Sequence, residues 1–134
     1  MSNLKILTLL ETFRLIERKV SLVLFDTGFT LSQFRLLHRI ALHMPTSASK
    51  LSLELGIAKP SVTAQLRELE KAELVTINSN PEDQRSFFIS LSANGNVRFQ
   101  IACKNIALLE KKSGEKLFSE LETMVNQIEK SITK

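Results

Sequence analysis

The sequence predicts a mainly α-helical fold with one small β-hairpin near its middle. Three observations carry this. Apolar residues recur at steps of three and four along both ends of the chain. Two short amphipathic segments meet at Gly56, and a polar, proline-bearing turn, NPEDQRS, joins two short alternating stretches. Only 4 Gly and 3 Pro occur in 134 residues, so long stretches hold no helix breaker.

The first expected helix covers residues 3–25, where Ile6, Leu9, Phe13, Ile16, Val20 and Val23 form a heptad-like seam. Leu4, Leu7, Leu10 and Leu24 widen the apolar surface beyond that seam, and Asp26-Thr27-Gly28 supplies the stop. Thr30 is the expected cap of a second helix, with Phe34, Leu37, Ile40 and Ala41 on one face and an end before Pro45. Thr46 or Ser47 caps a short third helix that runs to Leu55 and stops at Gly56. Pro60 fits the first turn of a fourth helix, whose buried face is Val62, Leu66 and Leu69.

Strands are expected at 74–77 and 87–91, with Phe87, Ile89 and Leu91 on one side. A fifth helix should run from about Ala93 to Lys112 and break at Ser113-Gly114. A sixth carries Leu117, Leu121, Met124, Ile128 and Ile132 at heptad-like spacing. Phe25, Phe34, Phe87, Phe88 and Phe99 are assigned mainly to the core. The terminal helices have no strand-rich body to pack on, so their apolar faces call for each other and for a second copy of the chain.

Composition narrows the function classes. Hydrophobic residues make up 43% and charged residues 24%, as in a soluble globular protein. No segment has the length and apolarity of a membrane span, and the N-terminal apolar run is short, broken by Glu11 and followed by no cleavage site. With Cys103 the single cysteine, the expected location is the cytoplasm. No glycine-rich phosphate loop, metal-ligand cluster or nucleophile motif is present, so an enzyme is not expected, nor a cofactor or a metal. His38 and His43, five residues apart, point to different faces of a helix and do not chelate a metal together. Cys103, beside Ile101 and Ala102, reads as a buried structural thiol.

The net charge of +4 divides into +3 over residues 1–43, −1 over 44–92 and +2 over 93–134. If the middle binds nucleic acid, it does so through a few placed cations rather than bulk charge.

The functional signal lies in LSLELGIAKPSVTAQLRELEKAELV. Gly56 permits the sharp turn that a helix-turn-helix requires, and Ser52 is small where the helices cross. With Val62, Leu66 and Leu69 inward, helical geometry points Pro60, Ser61, Ala64, Arg67, Glu68 and Lys71 outward, with Thr63 at the margin. A mostly small and polar helix face of this kind can enter a DNA major groove. The hairpin that follows gives the winged helix-turn-helix order.

The run from about 31 to 95 resembles the MarR family of bacterial transcription regulators. The match is carried by Leu51, Gly56, Val62, Thr63, Leu69, Leu74, Asp83, Arg85, Leu91, Ser92 and Gly95, above all by the wing pattern D-x-R followed by L-[ST]-x-x-G. The flanking helices fit the family's order, which divides the single chain into an N-terminal dimerisation helix (1–28), a DNA-binding lobe (30–92) and C-terminal dimerisation helices (93–134). The resemblance implies a homodimer, each lobe on one half of a pseudo-palindromic site in double-stranded DNA. It also implies a pocket for a small-molecule effector between the terminal helices and the lobe.

On this reading Lys59, Ser61, Thr63 and Arg67 contact bases and phosphates, and Asp83 and Arg85 form the wing. Asp83 can pair with Arg85 and hold it extended, sparing about 2 kcal/mol of rotamer entropy when the arginine enters a minor groove. The chain departs from the family at Ala64, Glu68, Glu73, Ile77 and Gln84, which makes the contacting surface less basic. Those departures support a rival reading, a winged-helix protein-interaction module that has lost DNA binding.

Overall fold

Hydrogen bonds at the chain's turns decide where its helices stop and how they stack. The structure is a computed structural model describing residues 4–132, with Gln84 and Arg85 described by backbone alone. The order is α1 (Lys5–Phe25), α2 (Leu31–Leu42), α3 (Ala48–Leu55), α4 (Lys59–Lys71), β1 (Val75–Asn80), β2 (Asp83–Leu91), α5 (Ala93–Ser113) and α6 (Glu115–Ile132). The Thr27 hydroxyl donates to the Leu24 carbonyl at 2.6 Å, closing the α1 terminus and turning the chain toward α2. Thr30 then forms a complete capping box with Gln33, its hydroxyl accepting from the Gln33 amide at 3.1 Å.

Between the two expected caps of α3, Ser47 takes the role, its hydroxyl accepting from the Lys50 amide at 3.2 Å. Thr46 does something the sequence did not signal. Its backbone exchanges two hydrogen bonds with Ile89, at 3.0 and 2.9 Å, and so adds a one-residue third strand to the hairpin. Gly56 ends α3 in the left-handed region (φ 65°), which a residue with a Cβ reaches only at a cost of about 1–2 kcal/mol. The turn needs that glycine.

The hairpin is longer than expected. β1 and β2 pair antiparallel from Val75↔Leu91 to Asn80↔Asp83, with a register shift at Ser79/Asn80. Only Pro81 and Glu82 lie between the strands. The polar sequence of the tip hid this extension, because side-chain hydrogen bonds rather than apolar alternation close it.

The core gathers Leu36, Leu37 and Ile40 of α2, Leu51 of α3, and Val62, Leu66 and Leu69 of α4. Leu74, Val75 and Ile89 of the hairpin region, and Phe99 and Ala102 of α5, complete it with Leu24 and Phe29. The aromatic assignment requires correction. Phe99 is buried and stacks tilted on half-buried Phe34 (centroids 5.4 Å apart), but Phe25 is 78% exposed, and Phe87 and Phe88 are also exposed. Phe25 lies next to the buried Leu24 on the helix, so the two point in different directions. Phe29, not singled out from the sequence, takes the core position. Arg98 caps it: its guanidinium sits 5.0 Å over the Phe29 ring and donates to the Thr27 carbonyl at 3.2 Å.

The terminal helices meet, but incompletely. Leu9, Phe13, Leu121 and Ile128 are half-buried, and an apolar groove of about 190 Å³ runs between α1 and α6. Ile6, Leu10, Leu15, Ile16 and Leu22 of α1, and Leu117, Met124, Val125 and Ile132 of α6, remain exposed, and α6 buries no residue fully. Among the described residues, no helix is long and apolar enough to cross a membrane.

Candidate nucleic-acid interface

The burial of Val62, Leu66 and Leu69 fixes the rotation of α4 about its axis. Lys59, Pro60, Ser61, Ala64, Arg67, Glu68 and Lys71 are exposed on its far side, while Thr63 is half-buried. Pro60 occupies the first turn, where its missing N–H costs no hydrogen bond. At 1.5 Å per residue, Lys59 and Lys71 stand about 18 Å apart along the helix. A shallow hollow over this face is lined by Lys59, Pro60, Thr63, Ala64, Arg67, Glu68 and Lys71. Among the described residues, ion pairs form at Arg35–Glu17 and Lys116–Glu120, and neither draws on Lys59, Arg67 or Lys71.

Beside this face opens a groove of about 420 Å³, walled by α4, the start of α3 and the hairpin. Lys59, Thr63 and Arg67 line one side, and Ile77, Ser86 and Phe87 the other. The exposure of Phe87 follows from this, since it lines an open groove rather than the core.

At the hairpin tip, Asn80 and Ser86 form a hydrogen-bonded pair that sequence reading did not single out. The Asn80 side-chain amide donates to the Ser86 hydroxyl at 3.0 Å, and its carbonyl accepts from the Glu82 amide at 3.0 Å. The Ser86 hydroxyl donates to the Asp83 carbonyl at 3.3 Å. Asp83 opens β2 and Arg85 follows two residues on, but the Arg85 side chain, and with it the expected pairing, lies outside the described residues. An asparagine before the two-residue turn and a serine six residues on were the available signal.

The hairpin is bound to α5 by a dense joint. The Ser92 amide donates to the Leu74 carbonyl at 3.0 Å. Its hydroxyl donates to the Glu73 carbonyl at 2.6 Å and accepts from the Gly95 amide at 2.9 Å, which makes it the α5 cap. Gly95 is there because a Cβ would fall 1.8 Å from the Leu74 carbonyl oxygen. Glu73 adopts φ 61°. The L-S-x-x-G segment thus fixes the end of α4 and the start of β1 to the start of α5.

A second pocket, about 430 Å³, lies where α1, α2 and α5 meet, lined by Val20, Leu31, Phe34, Arg35, His38, Cys103, Ile106, Ala107 and Glu110. Cys103 is half-buried rather than buried, and desolvation pushes its thiol above the ordinary range. Among the described residues, no group of three or more His, Cys, Asp or Glu is placed to hold a metal.

Residues 29–87 match the model of the MarR family. The chain is 29% identical over 108 residues to an uncharacterised HTH-type transcriptional regulator of Staphylococcus aureus, covering 76% of this chain and 74% of that protein. Its fold is similar to that of the transcriptional repressor CouR bound to a 23-mer DNA duplex (TM-score 0.78, 23% identity, 91% and 92% of the two chains). It is similar also to Staphylococcus aureus MarR in complex with salicylate and kanamycin (TM-score 0.80, 23% identity, 93% and 87%).

Proposed function

We propose, from the match of residues 29–87 to the MarR family model, that the chain is a sequence-specific, DNA-binding transcription regulator rather than an enzyme. One observation carries the reading: α4 presents Lys59, Ser61, Arg67 and Lys71 on an exposed face beside a hairpin of wing length. The helix lies in the major groove, with Ser61 and Thr63 near base edges and Lys59 and Arg67 on phosphates. Arg85, held extended by Asp83, reaches the adjacent minor groove from the wing tip, where narrow grooves concentrate negative potential.

The active species is a homodimer on a pseudo-palindromic site. The exposed apolar residues of α1 and α6 support this, because a lone chain would leave both faces in water. Regulation acts through the pocket between α1, α2 and α5, at the junction of the terminal helices with the lobe. Arg35, paired with Glu17 at 3.1 Å, and His38 lie on its wall, and a small carboxylate or phenolic effector that displaced Glu17 there would alter the spacing of the two lobes. The working location is the cytoplasm.

Selection of bound duplexes from a random library, followed by footprinting, tests the proposal. A regulator protects two half-sites about 34 Å, or one DNA turn, apart. The rival reading, a protein-interaction module without DNA binding, requires that no sequence be enriched.

A further inference from the structure

Two acids are exposed on α4: Glu70 lines the groove beside the hairpin, and Glu68 lies in the shallow hollow on the outward face, where its placement carries information about the operator. Glu68 is exposed, one helical turn beyond Ala64 and between the cations Arg67 and Lys71. It shares the shallow hollow with Pro60, Ala64 and Arg67. No ion pair holds its carboxylate against either neighbouring cation, since the ion pairs among the described residues lie elsewhere. Its backbone carbonyl accepts from the Ala72 amide at the C-terminal cap of α4, and its side chain is exposed.

A carboxylate in a major groove offers only acceptors. Most of what it meets there repels it: phosphate oxygens, N7 and O6 of guanine, and O4 of thymine are acceptors too. The donors on the groove floor are the N4 amino group of cytosine and the N6 amino group of adenine. Adenine sets its N7 acceptor beside the amino group and so suits an amide side chain, whereas cytosine offers its amino group without that acceptor and suits a carboxylate. Arg67 and Lys71 flank Glu68 in sequence and can take phosphates, which offsets the charge cost of bringing an acid near the backbone.

We infer that Glu68 is a specificity-determining residue that selects a cytosine in each half-site by accepting from its N4 amino group. This deepens the proposed function and rests on α4 being the helix that reads DNA. Ala64, a turn earlier, is exposed in the same hollow and presents only a methyl group beside Glu68.

The experiment compares duplexes selected from a random library by the full-length wild-type chain and by Glu68→Gln and Glu68→Ala variants. Affinities for the wild-type consensus are measured at several salt concentrations. The wild type should prefer one symmetric cytosine by about tenfold over the other bases. Glu68→Gln should move that preference to adenine, because an amide pairs with adenine N6 and N7. Glu68→Ala should abolish preference at that position alone. Circular dichroism should be unchanged, since the position is exposed. If both variants select the wild-type site and bind every sequence more tightly, Glu68 only repels DNA and the inference is overturned. Loss of preference at an adenine rather than a cytosine overturns the base assignment. A wild type that enriches no sequence overturns the DNA-binding reading itself, an outcome distinct from the other two.

Discussion

Replacing Gly95 with alanine should destabilise the protein by about 1–5 kcal/mol, a range that follows from one contact. The added Cβ would lie 1.8 Å from the Leu74 carbonyl oxygen, and must reach at least 3.0 Å, so α5 and the hairpin must part by 1.2 Å or more along that line. The obstacle is backbone and cannot swing aside. The same displacement stretches the Ser92 amide bond to Leu74 from 3.0 Å and the Ser92 hydroxyl bond to Glu73 from 2.6 Å, to lengths at or beyond the hydrogen-bonding limit. Each loss costs about 0.5–1.5 kcal/mol, and the carbonyl of buried Leu74, left unpaired, adds about 1–3 kcal/mol. The better helix propensity of alanine returns about 1 kcal/mol. Urea unfolding at fixed protein concentration measures the net change, with Asn96→Ala, exposed on the same turn, as a control expected within about 0.5 kcal/mol of wild type. Because the joint also sets α4 relative to α5, DNA affinity should fall by more than the unfolded fraction explains. A Gly95→Ala protein within about 0.5 kcal/mol of wild type would refute the reasoning.

Other outcomes follow from the wing, the terminal helices and the cysteine. Arg85→Ala should weaken binding to all sequences and lower the salt slope by about one ion per lobe, as footprints and salt titrations would register. Asp83→Ala should also weaken binding if the acid orients Arg85, and the double mutant should lose less than the sum; tighter binding by Asp83→Ala at every salt concentration would exclude that role. Light scattering at micromolar concentration should find a dimer, with interfaces burying more than about 2,000 Å², and deletion of residues 1–16 should give aggregation or unfolding. Cys103 should alkylate slowly near neutral pH and faster as pH rises, since a thiol pushed upward by burial holds little thiolate. Peroxide that abolished DNA binding by the wild type but not by Cys103→Ala would contradict an inert thiol.

How much of this was legible in the sequence depends on the range of each interaction. Local chemistry was readable: the Thr30 and Ser47 caps, the turn at Gly56, and the inward set Val62, Leu66 and Leu69 stand where spacing places them. Contacts between distant segments were not. The Thr46–Ile89 bridge joins residues far apart in the chain, and neither flank announces it. Phe87 reads as core by alternation, yet it lines the groove beside α4, because alternation gives a side of the strand and not what lies against that side. Gly95 was recognised as part of a pattern; only the approach of the Leu74 carbonyl explains why no side chain fits. For the candidate site, the exposed face of α4 was readable from helical periodicity, whereas the Asn80–Ser86 pinning of the wing tip required the strand register.

The central claim is that this winged lobe binds DNA through a few placed cations, and a salt titration of full-length protein on random duplex tests it most directly. Lys59, Arg67, Lys71 and Arg85 supply about four phosphate-competent cations per lobe and about eight per dimer, so log K should fall against log salt with a slope of about −7. Arg67→Ala should make that slope shallower by about two ions per dimer while leaving the fold intact. Binding that is absent at low salt, or that does not weaken as salt rises, would contradict the account.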